Sequence, residues 1–132
     1  MINNFKELIL QGEEIYRIKV IVPKVELKKR IEDEVNEISY ISACYSMVNL
    51  LDCVHVSASK GNALKLLSEQ MGIGSDQIAV FGDNYNDISM FRFAGLSIAM
   101  GNADGYVQSK ALSTTTSNNE SGVAYGVKKY VL

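Results

Sequence analysis

The sequence predicts an α/β protein in which a wound parallel sheet follows a smaller strand–helix–strand–strand module. Three observations carry that prediction. Ile78-Ala79-Val80-Phe81 and Leu96-Ser97-Ile98-Ala99-Met100 are short continuous apolar runs bounded by glycines, the mark of strands buried on both faces. Helical patterns separate these runs at the pace of strand–helix–strand crossovers. Ahead of them, a β-branched run at 15–22 leads into an amphipathic helix and two further strand-like runs.

Taken in order, residues 5–11 read as a short helix stopping near Gly12, and 15–22 as a strand. Pro23 ends that strand and opens a helix where its missing N–H costs nothing. Leu27, Ile31, Val35 and Ile38 then recur at helical spacing, with Lys28, Lys29, Glu32, Asp33, Glu34 and Glu37 forming a solvated face. Strands over about 39–47 and 50–57, joined near Asn49, complete the first module. Its cysteines, Cys44 and Cys53, read as two buried reduced thiols, with facing each other across that hairpin as the alternative. His55, alternating with Val54 and Val56, reads as structural.

The character changes at Ser57-Ala58-Ser59-Lys60-Gly61, so the boundary is set at 1–57 and 58–132. A helix over 61–71, with Leu64, Leu67 and Met71 on one face, stops at Gly72. The strand at 78–81 runs into the turn Gly82-Asp83-Asn84-Tyr85-Asn86-Asp87 and a helix through Met90, Phe91 and Phe93 to Gly95. The strand at 96–100 runs into Gly101-Asn102-Ala103 and a short helix over 104–111. Thr114-Thr115-Thr116 reads as a third strand, and a last helix runs from Ser121 to about Tyr130.

Composition sets the outer limits. The 132 residues are 47% apolar and 21% charged with a net charge of −2, which excludes a disordered chain. No long basic block suggests nucleic acid, no apolar stretch is long enough to span a membrane, and no secretory pattern opens the chain. The expected location is the cytoplasm.

The chemistry is expected at one rim. Ligands of open α/β sheets bind at the carboxyl ends of strands, where both glycine turns fall. There Asp83 projects from a strand end and suits a hard cation such as Mg²⁺, which takes one or two carboxylates with water and phosphate oxygens. Asp87, in the first turn of the next helix, is placed to bond free backbone N–H groups. Asn86 is placed to donate to a phosphate oxygen. Lys60, a lone cation at a helix start, is able to neutralise a phosphate. The plainer alternatives are a simple Gly-Asp-Asn turn, a helix cap and a solvated lysine. Asn102 reads as a turn asparagine, with reach to the rim as the alternative, and Tyr85 as a ring that packs.

These segments together resemble a family. Ser59-Lys60-Gly61-Asn62-Ala63-Leu64, then Val80-Phe81-Gly82-Asp83-Asn84-Tyr85-Asn86-Asp87-Ile88-Ser89-Met90, then Ala94-Gly95 and Ala99-Met100-Gly101-Asn102-Ala103 resemble the C-terminal half of a Cof-type (subclass IIB) phosphatase of the haloacid dehalogenase superfamily. Thr116-Ser117-Asn118 and Gly122-Val123 resemble that family's ending, and the first fifty-odd residues the second half of its α/β cap. The resemblance implies the C-terminal half of a Rossmannoid parallel sheet plus a partial cap, and a Mg²⁺-dependent hydrolase of small phosphorylated metabolites. It implies that Lys60 holds the phosphate and stabilises an aspartyl-phosphate, Asp83 ligates Mg²⁺, Asn86 contacts phosphate and Asp87 supports the metal shell.

The family's Asp-x-Asp nucleophile motif is missing. The aspartates are Asp33, Asp52, Asp76, Asp83, Asp87 and Asp104, and no two stand two apart. The sequence therefore reads as a fragment cut inside the cap, inactive alone, with weak metal binding. Without the family's first strand, the strand at 78–81 becomes a sheet edge, so self-association or pairing with a partner segment is expected. Two function classes remain: half of a phosphatase, or a non-catalytic α/β interaction or regulatory module.

Overall fold

In this computed structural model the chain divides into two compact units, Met1–Val56 and Ser57–Leu132. The structure describes residues 7, 10–12, 14–47 and 49–132. The helix expected over 5–11 falls largely outside the described residues.

The first unit contains β1 (Ile18–Ile21), a 3-10 turn (Val25–Leu27) running into α1 (Lys28–Asn36), β2 (Ile41–Met47) and β3 (Leu50–His55). The strands form an antiparallel sheet in the order β1-β3-β2. Its core is Val22, Ala43, Leu51 and Cys53, with Ile31 and Val35 of α1 packed against it. Leu27 and Ile38, expected on the same face of the helix, lie at its two ends and stay more than one-third exposed. The opposite face carries Lys29–Asp33 and Arg30–Glu34 pairs, each at 2.7 Å and four residues apart. Such exposed pairs contribute little, because water and salt screen them.

Cys53 is buried as expected but Cys44 only half-buried, and the register rules out their facing each other. Cys44 stands opposite Asp52, and Cys53 opposite Ala43. Directly opposed residues share a face and successive residues alternate, so the two thiols point to opposite sides of the sheet. Both are free. Burial pushes the Cys53 thiol above its ordinary pKa, which makes it a poor nucleophile.

The second unit contains α2 (Lys60–Met71), β4 (Ala79–Gly82), α3 (Ile88–Phe91), β5 (Leu96–Ala99), α4 (Gly105–Gln108), β6 (Ser113–Thr114) and α5 (Gly122–Tyr130), with 3-10 turns at 75–77, 85–87 and 118–120. The sheet is parallel in the order β4-β5-β6. Its core is Val80, Ile88, Phe91, Ala94, Ala99, Ala103 and Val107. Among the described residues β4 pairs only with β5, so it is an edge.

Four elements differ from expectation. On α2 only Leu64 of the expected apolar triad packs on the core, while Leu67 is 51% and Met71 61% exposed. The buried positions are Gly61 and Ser68, because α2 meets α3 at Gly61, where the side-chain-free residue allows the closest approach. The helices after β4 and β5 are single turns. The third strand is two residues long, extended by bonds from Thr115 N–H to Ala99 O (2.9 Å) and Gly101 N–H to Thr116 O (3.1 Å). No helix among the described residues is long and apolar enough to cross a membrane.

Candidate functional site

The site is built on the carboxyl ends of β4 and β5 and on the start of α2, all within the second unit. Ser59 caps α2, its Oγ accepting from Asn62 N–H at 3.1 Å. That cap fixes where the helix begins and so where Lys60 emerges. Gly61 N–H donates to Ser89 Oγ at 3.0 Å, tying the α2 start to α3. A Cβ at Gly61 would run into the Ser89 backbone, so the approach requires glycine.

Lys60 Nζ donates to Asp87 Oδ1. The Lys60 side chain is half exposed, whereas the Asp87 side chain is only 5% exposed. The other carboxylate oxygen, Asp87 Oδ2, accepts from the backbone N–H groups of Asp83 and Asn84, both at 3.0 Å. Both oxygens of this buried carboxylate are thus occupied, and the charge is matched by a cation and two N–H dipoles, as a buried charge requires. Gly82 makes the arrangement possible, since a Cβ there would lie 2.5 Å from Asp87 Cβ.

Asp83 is exposed at the end of β4. Its Oδ2 accepts from Asn102 Nδ2 at 2.9 Å, and its Oδ1 takes no hydrogen bond among the described residues. Asn102 Oδ1 in turn accepts from Asn118 N–H at 3.0 Å. The Asn86 side-chain Oδ1 is buried without a hydrogen-bond partner, while its backbone carbonyl accepts from Ser89 Oγ at 3.2 Å. An open hollow of about 510 Å³ lies beside Lys60, lined in part by Ser59, Asn62, Ala63 and Leu66.

Of the residues singled out in the sequence, Lys60, Asp83 and Asp87 are joined in one network, and Asn86 lies between Tyr85 and Asp87 without bonding the other three. Asp87 bonds backbone N–H groups as expected, although they precede it rather than belong to the helix that follows. Tyr85 packs, its ring stacked on Tyr106 with centroids 5.8 Å apart. Asn102 reaches the rim, which the turn reading passed over. The signal for it was the pair of glycine turns ending neighbouring strands, which lie only about 4.8 Å apart. Ser89 and Gly61 carried no such signal, because their roles depend on how two helices meet. Among the described residues no three His, Cys, Asp or Glu side chains gather to hold a metal.

A family model described as haloacid dehalogenase-like hydrolase matches residues 2–127. A putative phosphatase of Haemophilus influenzae is 36% identical over 118 residues, covering 89% of this chain and 40% of that protein. The solved structure of a haloacid dehalogenase-like hydrolase from B. subtilis matches with a TM-score of 0.90 and 34% identity, over 98% of this chain and 46% of that one. A subclass IIB sugar phosphatase, BT4131, shares the fold at a TM-score of 0.80 and 22% identity, over 91% of this chain and 45% of that one. The chain thus spans under half the length of each of these three proteins.

Proposed function

We propose that this chain, a member of the haloacid dehalogenase-like hydrolase family, belongs to its Cof-type subclass IIB branch and that its second unit forms the metal- and phosphate-holding side of a Mg²⁺-dependent phosphomonoester hydrolase. The observation that carries the proposal is the Lys60–Asp87–Asp83 network at the sheet's carboxyl rim. Lys60 holds a substrate phosphate: with one N–H on Asp87, its ammonium keeps two donors for phosphoryl oxygens. Asp87 fixes that ammonium and the Asp83 backbone together. Asn86 supplies a side-chain contact to the phosphate.

The donor set fits Mg²⁺ in part. Asp83 Oδ1, free of hydrogen bonds among the described residues, is the hard oxygen such an ion takes alongside water and phosphate. When bound, Mg²⁺ supplies positive charge against the phosphoryl oxygens. One carboxylate alone holds it weakly.

The sequence contains no Asp-x-Asp pair, so these 132 residues alone supply no carboxylate nucleophile and do not turn over. A segment bearing that pair completes the site, with the open edge of β4 as its pairing surface. The same missing pair favours a second reading, a non-catalytic α/β interaction module. Phosphate release from a generic phosphomonoester with Mg²⁺ separates the two, run with and without an N-terminal half carrying Asp-x-Asp. Activity that appears only on reconstitution, and disappears in Asp83→Asn, supports the phosphatase half. Silence after reconstitution supports the module, and activity of the chain alone overturns the claim that the nucleophile is missing.

A further inference from the structure

We infer that Asn102 is the residue that orients Asp83 toward a metal ion, and that the loop after β6 sets the orientation of Asn102 itself. The inference rests on the reading of Asp83 as a metal ligand. A backbone N–H only donates, so Asn102 Oδ1 must face Asn118 N–H, at 3.0 Å. The Nδ2 group must then face Asp83 Oδ2, at 2.9 Å. The opposite rotamer would set oxygen against carboxylate and N–H against N–H, so the network fixes the amide.

The consequence falls on Asp83. A carboxylate plane turns freely about its last bond unless something holds it. Asn102 occupies Oδ2 with a neutral donor and leaves Oδ1 for a cation, without adding a second charge. Asp87 Oδ2 holds the Asp83 backbone N–H, so the residue is fixed at both ends. Asn102 is itself held: Gln108 Nε2 donates to Ala103 O at 2.9 Å and Gly101 O at 3.2 Å. The loop after β5 is fastened to the loop after β4 a second time, through the Tyr85 hydroxyl on the Asp104 carboxylate and the Tyr85–Tyr106 stack. Three strand ends therefore converge on the orientation of one carboxylate.

The test is Mn²⁺ titration of the full 132-residue chain, read as paramagnetic broadening of the Asp83 and Asn84 amide signals, a readout that needs no turnover. Asn102→Ala should weaken apparent Mn²⁺ affinity by about tenfold, the lower end of what outer partners of metal ligands contribute. Asn118→Pro should weaken it by about two- to threefold on the same rationale, because it removes only the N–H that fixes the amide. Proline suits Asn118, the first residue of a 3-10 turn preceded by Ser117 at φ −70°, ψ 164°, so this variant keeps the fold if Asn102→Ala does not. Wild-type affinity in both variants, with binding lost in Asp83→Asn, overturns the inference and leaves the reading of Asp83 standing. Equal absence of broadening in wild type and Asp83→Asn overturns both.

Discussion

The Lys60 ammonium rests on Asp87 Oδ1, while the opposite oxygen of the same buried carboxylate holds the backbone of Asp83 and Asn84. One side chain thus fixes a cation from α2 and the turn after β4, although 27 residues separate the lysine from the aspartate. The two ends of the site cannot be altered independently of Asp87.

Asp87→Ala should therefore be among the most damaging single changes. It strands two partly buried N–H donors and removes the partner of Lys60, a loss of about 2–4 kcal/mol once the exposure of Lys60 is discounted. Asp87→Asn keeps an acceptor for the N–H groups and loses the ion pair, so it should cost less, about 1–2 kcal/mol. Urea unfolding midpoints rank the two. Equal loss in both would mean that the ion pair, not the backbone contacts, holds the turn.

How much of this was legible in the sequence depends on the kind of contact. Gly82-Asp83 and Gly101-Asn102 announced a shared rim, because apolar runs of strand length ended at both. Lys60 was legible as the cation before a glycine at a helix start. The facing of Cys44 and Cys53 was not, since a one-residue difference in register sends a side chain to the other face. Nor was the buried stripe of α2, because close approach at Gly61 turned Leu67 and Met71 outward against the apolar pattern. Asn102 stood between: its position was readable, but its bonds to Asp83 and Asn118 needed three loops placed together.

Gly61→Ala tests the close approach directly. The added methyl meets the Ser89 backbone, which cannot swing away as a side-chain tip would. Overpacking of this kind costs about 1–3 kcal/mol. Gly105→Ala is the control: nothing lies within 4 Å of a Cβ there, and alanine should stabilise the helix by about 0.5–1 kcal/mol. Thermal midpoints should move in opposite directions for the two variants.

Acid sensitivity should reside partly in the loop after β5. The Tyr85 hydroxyl, followed by the Val107 backbone N–H, holds the Asp104 carboxyl below its ordinary pKa. A carboxyl depressed in the folded state stabilises it above the unfolded pKa, and that contribution is lost as pH falls through the folded value. Tyr85→Phe removes the largest of these causes. Its stability should be below wild type at neutral pH, and the gap should close as pH falls below the carboxylate range. Denaturation curves collected from pH 7 to pH 2 test this, and a gap independent of pH would assign the loss to ring packing on Tyr106.

The open edge of β4 gives the last prediction. β4 pairs with β5 on one side and with no strand among the described residues on the other. An uncovered edge offers backbone donors and acceptors to any extended chain, and exposed Leu66, Leu67 and Met71 of α2 in the same unit add apolar surface. The chain should therefore self-associate as its concentration rises, with light scattering after size exclusion showing a mass above 14.5 kDa. Ala79 is exposed on this edge strand. Ala79→Lys should shift the mass toward monomer, because charge on an edge discourages strand addition. A variant that remains associated would move the contact from β4 to the apolar face of α2, where Leu67→Glu would dissolve it instead.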